Sequence, residues 1–126
     1  MEKLFVPYEL ALKLKEKGFD EICLVFYSTK YNYSDKNFKP KLFISTNDKE
    51  TQMIRNVVKD CSAPIYGQVI EWLDTKNIHI QIHSNFQSPY IYGFQINKRV
   101  FLGMPNKFEF RKEAQIKAIE ESIKLI

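Results

Sequence analysis

Residues 62–83, SAPIYGQVIEWLDTKNIHIQIH, decide the fold, because the apolar period changes within them from helical to extended. Ile65, Val69, Trp72 and Leu73 recur at i, i+4, i+7 and i+8 and share one helical face. Ile78, Ile80 and Ile82 then alternate with His79, Gln81 and His83, as in a half-buried strand. Ser62 is the expected N-cap, Pro64 falls in the first turn, and the helix is expected to run to about Asp74 or Lys76. A helix hands over to a strand here, a pattern that sets an architecture and names no chemistry.

The flanking sequence extends the same plan. After a turn at residues 84–88, residues 90–97 place Tyr90, Tyr92, Phe94 and Ile96 on one face of a second strand. Asn97-Lys98 makes a tight connection to residues 100–104, so three antiparallel strands are expected in a meander, followed by a loop at 105–108. The last helix, about residues 110–125, aligns Ile116, Ile119, Ile123 and Ile126. Its other face carries Glu113–Lys117, Lys117–Glu121 and Glu120–Lys124 at i, i+4, which reads as a solvated face.

Towards the N-terminus, Pro7 opens a helix over residues 7–17 with Leu10, Ala11 and Leu14 on one side, and Gly18 closes it as a left-handed cap. Residues 22–28 form an apolar run rich in strand formers and are expected to be a strand buried on at least one face. Residues 42–45 follow Pro40 as a short edge strand. Within 47–60, Met53, Ile54, Val57 and Val58 have helical spacing that an extended segment would equally fit.

At 126 residues, with 44% hydrophobic and 27% charged residues, the chain is expected to be a single α+β domain, 1–126. That length buries roughly two-thirds of the unfolded surface. No run approaches the ~18 apolar residues of a spanning helix, and MEKLFVPYEL lacks a signal-peptide core, so a cytoplasmic protein without membrane partners is expected. Cys23 and Cys61 match no metal-ligand or redox spacing and read as free thiols. Cys61 precedes the expected helix, where a dipole lowers a thiol pKa, but no base is paired with it. The net charge of +4 permits an anionic partner. Arginine, the usual bidentate reader of phosphate, is confined to Arg55, Arg99 and Arg111.

No nucleotide, hydrolase or zinc-protease motif occurs, so neither a cofactor nor catalytic residues are expected. His79 and His83 would be a metal pair on a helix. On a strand, their Cα atoms stand roughly 13 Å apart, so both read as exposed strand residues beside Gln81. Glu71 with Asp74, and Asp20 with Glu21, suggest no shared buried site. Residues 27–43 interleave Tyr27, Tyr31, Tyr33, Phe38 and Phe43 with lysines, which is either a stacking surface for single-stranded nucleic acid or a loop whose rings fold onto the core.

Two resemblances add to this reading. Ala63-Pro64, Tyr66, Gln68, Ile70, Glu71-Trp72-Leu73 and the strand at 78–82 resemble a family of small uncharacterised proteins of Bacteroidetes and their phages or mobile elements. So do Leu10 to Leu14, Gly18 to Glu21 and Lys117 to Glu121. The resemblance implies a small accessory protein and assigns no activity or site. From Pro64 onward, the order helix, three strands, helix is similar to a double-stranded RNA-binding domain. Arg111-Lys112-Glu113-Ala114-Gln115 resembles the basic start of that family's last helix. The resemblance implies phosphate contacts at Arg111 and Lys112, although Gln115 stands at the final basic position and the family's loop signature is reduced to Ser88-Pro89-Tyr90-Ile91.

The combined expectation is an α+β fold with an antiparallel sheet of three to five strands and about three helices on one face. Its sheet is centred on residues 78–104 and joined by 22–28. The expected function is non-enzymatic interaction with a protein, another copy or a different one, through Tyr31, Tyr33 and Phe38 or through His79, Gln81 and His83. RNA binding through Arg111 and Lys112 is the alternative.

Overall fold

The computed structural model describes residues 2–29, 39–44, 59–84, 91–97 and 107–126. Among them are three α-helices and five strands in two antiparallel sheets, an α+β architecture. The chain divides into two compact units, Met1–Ile65 and Tyr66–Ile126.

In the first unit a 3-10 turn, Glu2–Leu4, precedes α1, Tyr8–Glu16, which buries Leu10, Ala11 and Leu14. Pro7, with no amide hydrogen to satisfy, stands at the helix N-cap. The helix ends as the sequence predicts: Gly18 has φ +94°, Gly18 N donates to Lys15 O, and Phe19 N donates to Leu14 O at 2.9 Å. These paired bonds satisfy the last carbonyls, and Phe19 and Leu14 are both buried beneath them.

The central strand is β1, Val25–Ser28, buried at all four positions. It lies between β2, Lys41–Ile44, and β3, Cys61–Ser62, antiparallel to both. Three expectations are corrected here. Ile22 and Leu24 are 88% and 77% exposed, so the strand begins only at Val25. Cys23 and Val25 alternate with them towards the core, so residues 22–25 show a one-sided pattern in which every residue happens to be apolar. Ser62 is not a helix cap, because its backbone sits opposite Phe26 in the sheet. Finally, β1 pairs with β2 and β3, and among the described residues it does not join the C-terminal sheet.

In the second unit α2, Tyr66–Thr75, buries Tyr66, Val69, Trp72 and Leu73. Ile65, the first member of the expected apolar face, precedes the helix and is 45% exposed, and Tyr66 takes that place. Full burial of a side chain such as Leu73 contributes about 1.5–3 kcal/mol. Strand β4, Ile80–Ser84, pairs antiparallel with β5, Tyr92–Ile96, and α3, Arg111–Ile123, packs on both. Phe94 and Ile96 are fully buried, as the alternation requires.

Helix α3 departs from its expected face. Ile119 and Ile123 are buried with Ala114, Ala118 and Ser122, whereas Ile126 lies past the helix and is exposed. Glu121, expected on a solvated face, is only 7% exposed. The expected strand at 100–104 and the helical spacing within 47–58 lie outside the described residues.

Candidate functional site

The site is built on β4, where Gln81 and His83 are exposed and Ile80 and Ile82 are half-buried. The register sets Gln81 opposite Gln95 and His83 opposite Gly93 on one side of the ribbon. Ile80 faces Ile96 and Ile82 faces Phe94 on the other. The outer side therefore presents hydrogen-bonding groups on a backbone supported from behind.

His79 reaches this side by a turn that the sequence does not announce. Asn77 adopts φ +59°, Asn77 N donates to Asp74 O, and Ile78 N donates to Leu73 O at 3.0 Å, reversing the chain at the end of α2. Leu73 and Ile78 are buried below the turn, which repeats the closure of α1 with asparagine in place of glycine. The reversal brings His79 Nδ1 to 2.8 Å from Asp74 Oδ1, where the ring N–H donates to the carboxylate. His79 N donates to Asn97 Oδ1 and Asn97 N donates to His79 O, so the ring stands on a fixed base. Asn77, His79, Ile80, Gln81 and Asn97 line a shallow groove of about 520 Å³. Asp74, noted in the sequence only beside Glu71, is the partner that composition could not supply; its signal is the D-x-x-N-x-H spacing across the turn.

His83 lies four residues beyond His79, and no group of three or more ligating side chains occurs among the described residues. Arg111 and Lys112 occupy the first turn of α3. Arg111 stands 5.3 Å from the Tyr92 ring centroid and Lys112 stands 4.3 Å from that of Tyr66. Aromatic faces, attractive to cations, hold both side chains near the helix start.

The other candidates divide. Tyr31, Tyr33 and Phe38 lie outside the described residues. Tyr27 is buried and its hydroxyl donates to Val6 O at 2.7 Å, so its ring belongs to the first unit's interior, while the half-buried Phe43 stacks on the buried Phe26. Cys61 sits in β3 and not before a helix. Burial first, then the charge of Asp60, push its thiol up to about 11, against the opposing pull of Lys15 and Lys59. Cys23 is the buried small residue that its apolar run predicts.

Sequence reasoning missed Asp60. Its Oδ2 accepts from Tyr8 Oη at 3.1 Å and from Thr29 Oγ1 at 2.7 Å, and its carbonyl accepts from Lys15 Nζ at 2.7 Å. Burial, followed by the hydrogen bond and charge of Asp60, raises the Tyr8 phenol above its ordinary range. These groups come from distant parts of the chain, so no local spacing reveals them. No described helix is long and apolar enough to cross a membrane. No family model, curated protein or solved structure matches the chain.

Proposed function

We propose that the protein is a non-enzymatic interaction module that presents the outer side of the β4–β5 ribbon, with His79, Gln81 and His83, to another polypeptide. The observation that supports this reading is the alternation on β4: exposed Gln81 and His83 ride on a strand whose other side is packed. A preformed backbone reduces the ordering cost of docking. The role is that of a small accessory protein of a phage or mobile element inside the cell. Neighbouring genes of that kind would agree with it.

The test is a photo-crosslinking residue at Gln81 in the full chain, with the same residue at exposed Glu9 as control. A discrete polypeptide adduct formed from Gln81 alone, and lost when His79 and His83 become alanine, agrees with the proposal. Equal adducts from both positions, or none from either, count against it.

The alternative is duplex RNA binding. It is favoured by the helix, strand, strand, helix order of α2, β4, β5 and α3, and by the two ring-supported cations that open α3. Binding to duplex RNA that weakens with salt and falls at least tenfold in Arg111→Ala/Lys112→Ala would support it. Retention of duplex RNA that is unaffected by the pair would remove Arg111 and Lys112 from the reading.

A further inference from the structure

Among the described residues, the alternation of hydrogen bonding along β4 leaves one of its edges without a strand. The pair Asn97 N to His79 O faces inward, and Tyr92 exchanges both backbone bonds with Phe108 on the far side of β5. In the antiparallel register this makes Gln81–Gln95 and His83–Gly93 the bonded pairs. The N–H and C=O groups of Ile80, Ile82 and Ser84 consequently point away from β5. Among the described residues they meet no backbone partner there.

Within the strand itself this edge carries none of the usual guards. Residues 80–84 contain no lysine, proline or glycine, and the pairing with β5 runs one to one without a bulge. The first sheet is different: β2 is entered through Lys39-Pro40-Lys41, and β3 is only two residues long, with Pro64 just beyond. An unguarded edge rich in isoleucine is a template for another strand.

We infer that the edge of β4 pairs antiparallel with β4 of a second copy of this chain, joining the two ribbons into one four-stranded sheet. This rests on the interaction reading above and names its partner. The argument is the self-complementary register. With a two-fold axis at Ile82, Ile82 faces its own counterpart, Ile80 faces Ser84, and each pair exchanges both backbone bonds. On the outer side, Gln81 of one copy then lies opposite His83 of the other, so an amide meets an imidazole and no two histidines oppose each other. On the inner side, the half-exposed Ile80 and Ile82 gain apolar cover from the second copy.

The register predicts an experiment on the full chain. Sedimentation equilibrium should show a monomer–dimer equilibrium with Kd of about 10–100 µM. Gln81→Lys/His83→Lys places like charges opposite each other twice and should weaken the dimer at least tenfold. Gln81→Glu/His83→Lys puts opposite charges in the same places and should restore it to within about threefold of the parent. Both changes alter exposed residues, so circular dichroism should match the parent. A parent that stays monomeric at about 1 mM, or a dimer equally strong in both variants, overturns the inference. If the parent is monomeric yet Gln81 still crosslinks to a different polypeptide, self-pairing fails while the interaction reading stands; loss of both removes both.

Discussion

Asp60 Oδ2 accepts both the backbone N–H and the hydroxyl of Thr29, at 2.9 and 2.7 Å. The same oxygen takes the Tyr8 hydroxyl, while Asp60 N donates to Tyr27 O. One residue thus ties α1, the end of β1 and the approach to β3. Hydrogen bonds to a charged acceptor are worth about 1.5–3 kcal/mol when partly buried, so Asp60→Ala should destabilise the protein by about that amount. Thr29→Val should cost about 1 kcal/mol. Urea denaturation of a double-mutant cycle should give a coupling energy of about 0.5 kcal/mol or more; strict additivity would show that the two side chains act independently.

Gly18 and Asn77 perform the same backbone task at the ends of α1 and α2, with φ of +94° and +59°. A Cβ at Gly18 would meet nothing within 4 Å, so the cost of Gly18→Ala is that of the left-handed backbone alone. That cost is about 1–2 kcal/mol. Asn77→Gly relieves the smaller strain at the second cap and should leave stability unchanged or raise it by up to about 1 kcal/mol. The thermal midpoint should therefore fall for Gly18→Ala and hold or rise for Asn77→Gly, and a loss in both would mean that the Asn77 side chain matters more than its backbone.

These caps also mark where the sequence is legible. Pro7, Gly18 and the alternating Ile80 and Ile82 act within a few residues of themselves, and their signals match the structure, although the strand expected from Ile78 begins only at Ile80. Ser62 has the chemistry of an N-cap, but its neighbours place it against Phe26, a partner 36 residues away that no local pattern contains. β3 is two residues long, too short for any period, so the helix onset is displaced to Tyr66. Residues 22 and 24 mislead in a different way: their apolarity hides an alternation that polar side chains would have exposed. On the candidate site, the orientation of Gln81 and His83 follows from strand periodicity, whereas the link from Asp74 to His79 depends on a turn at Asn77 that residue type alone does not specify.

Glu121 accepts from Lys124 Nζ at 2.9 Å and lies 3.3 Å from Lys117 Nζ. Burial acts to raise its pKa, but the hydrogen bonds and charges of Lys124 and Lys117 together outweigh it and hold the carboxyl below its ordinary 4.5. A depressed folded-state pKa contributes stability that is present above the unfolded value and lost as pH falls through the folded one. Glu121→Gln should therefore cost about 1 kcal/mol at neutral pH. The gap between variant and parent should close as the pH is taken below 4.5. Denaturation curves at several pH values check this, and a gap independent of pH would assign the effect to packing instead of charge.

Cys61 and Cys23 are both buried and unbridged, and they test whether the first unit is closed in solution. With the Cys61 thiol pushed up to about 11 by burial and then by Asp60, it holds its proton at neutral pH and is a poor nucleophile. A disulfide reagent at about pH 7.5, below the ordinary thiol range, should modify neither cysteine in the native chain and both in denaturant. The sign of the pH dependence follows from the raised value: the folded state retains a proton that the unfolded state releases. The associated stability is fully present below the ordinary 9.0 and is lost as pH rises towards about 11. Cys61→Ala removes that alkaline dependence, so the parent should lose stability relative to the variant as pH rises from 9.0 towards about 11; rapid modification of native Cys61 at neutral pH would mean that β3 opens readily from β1.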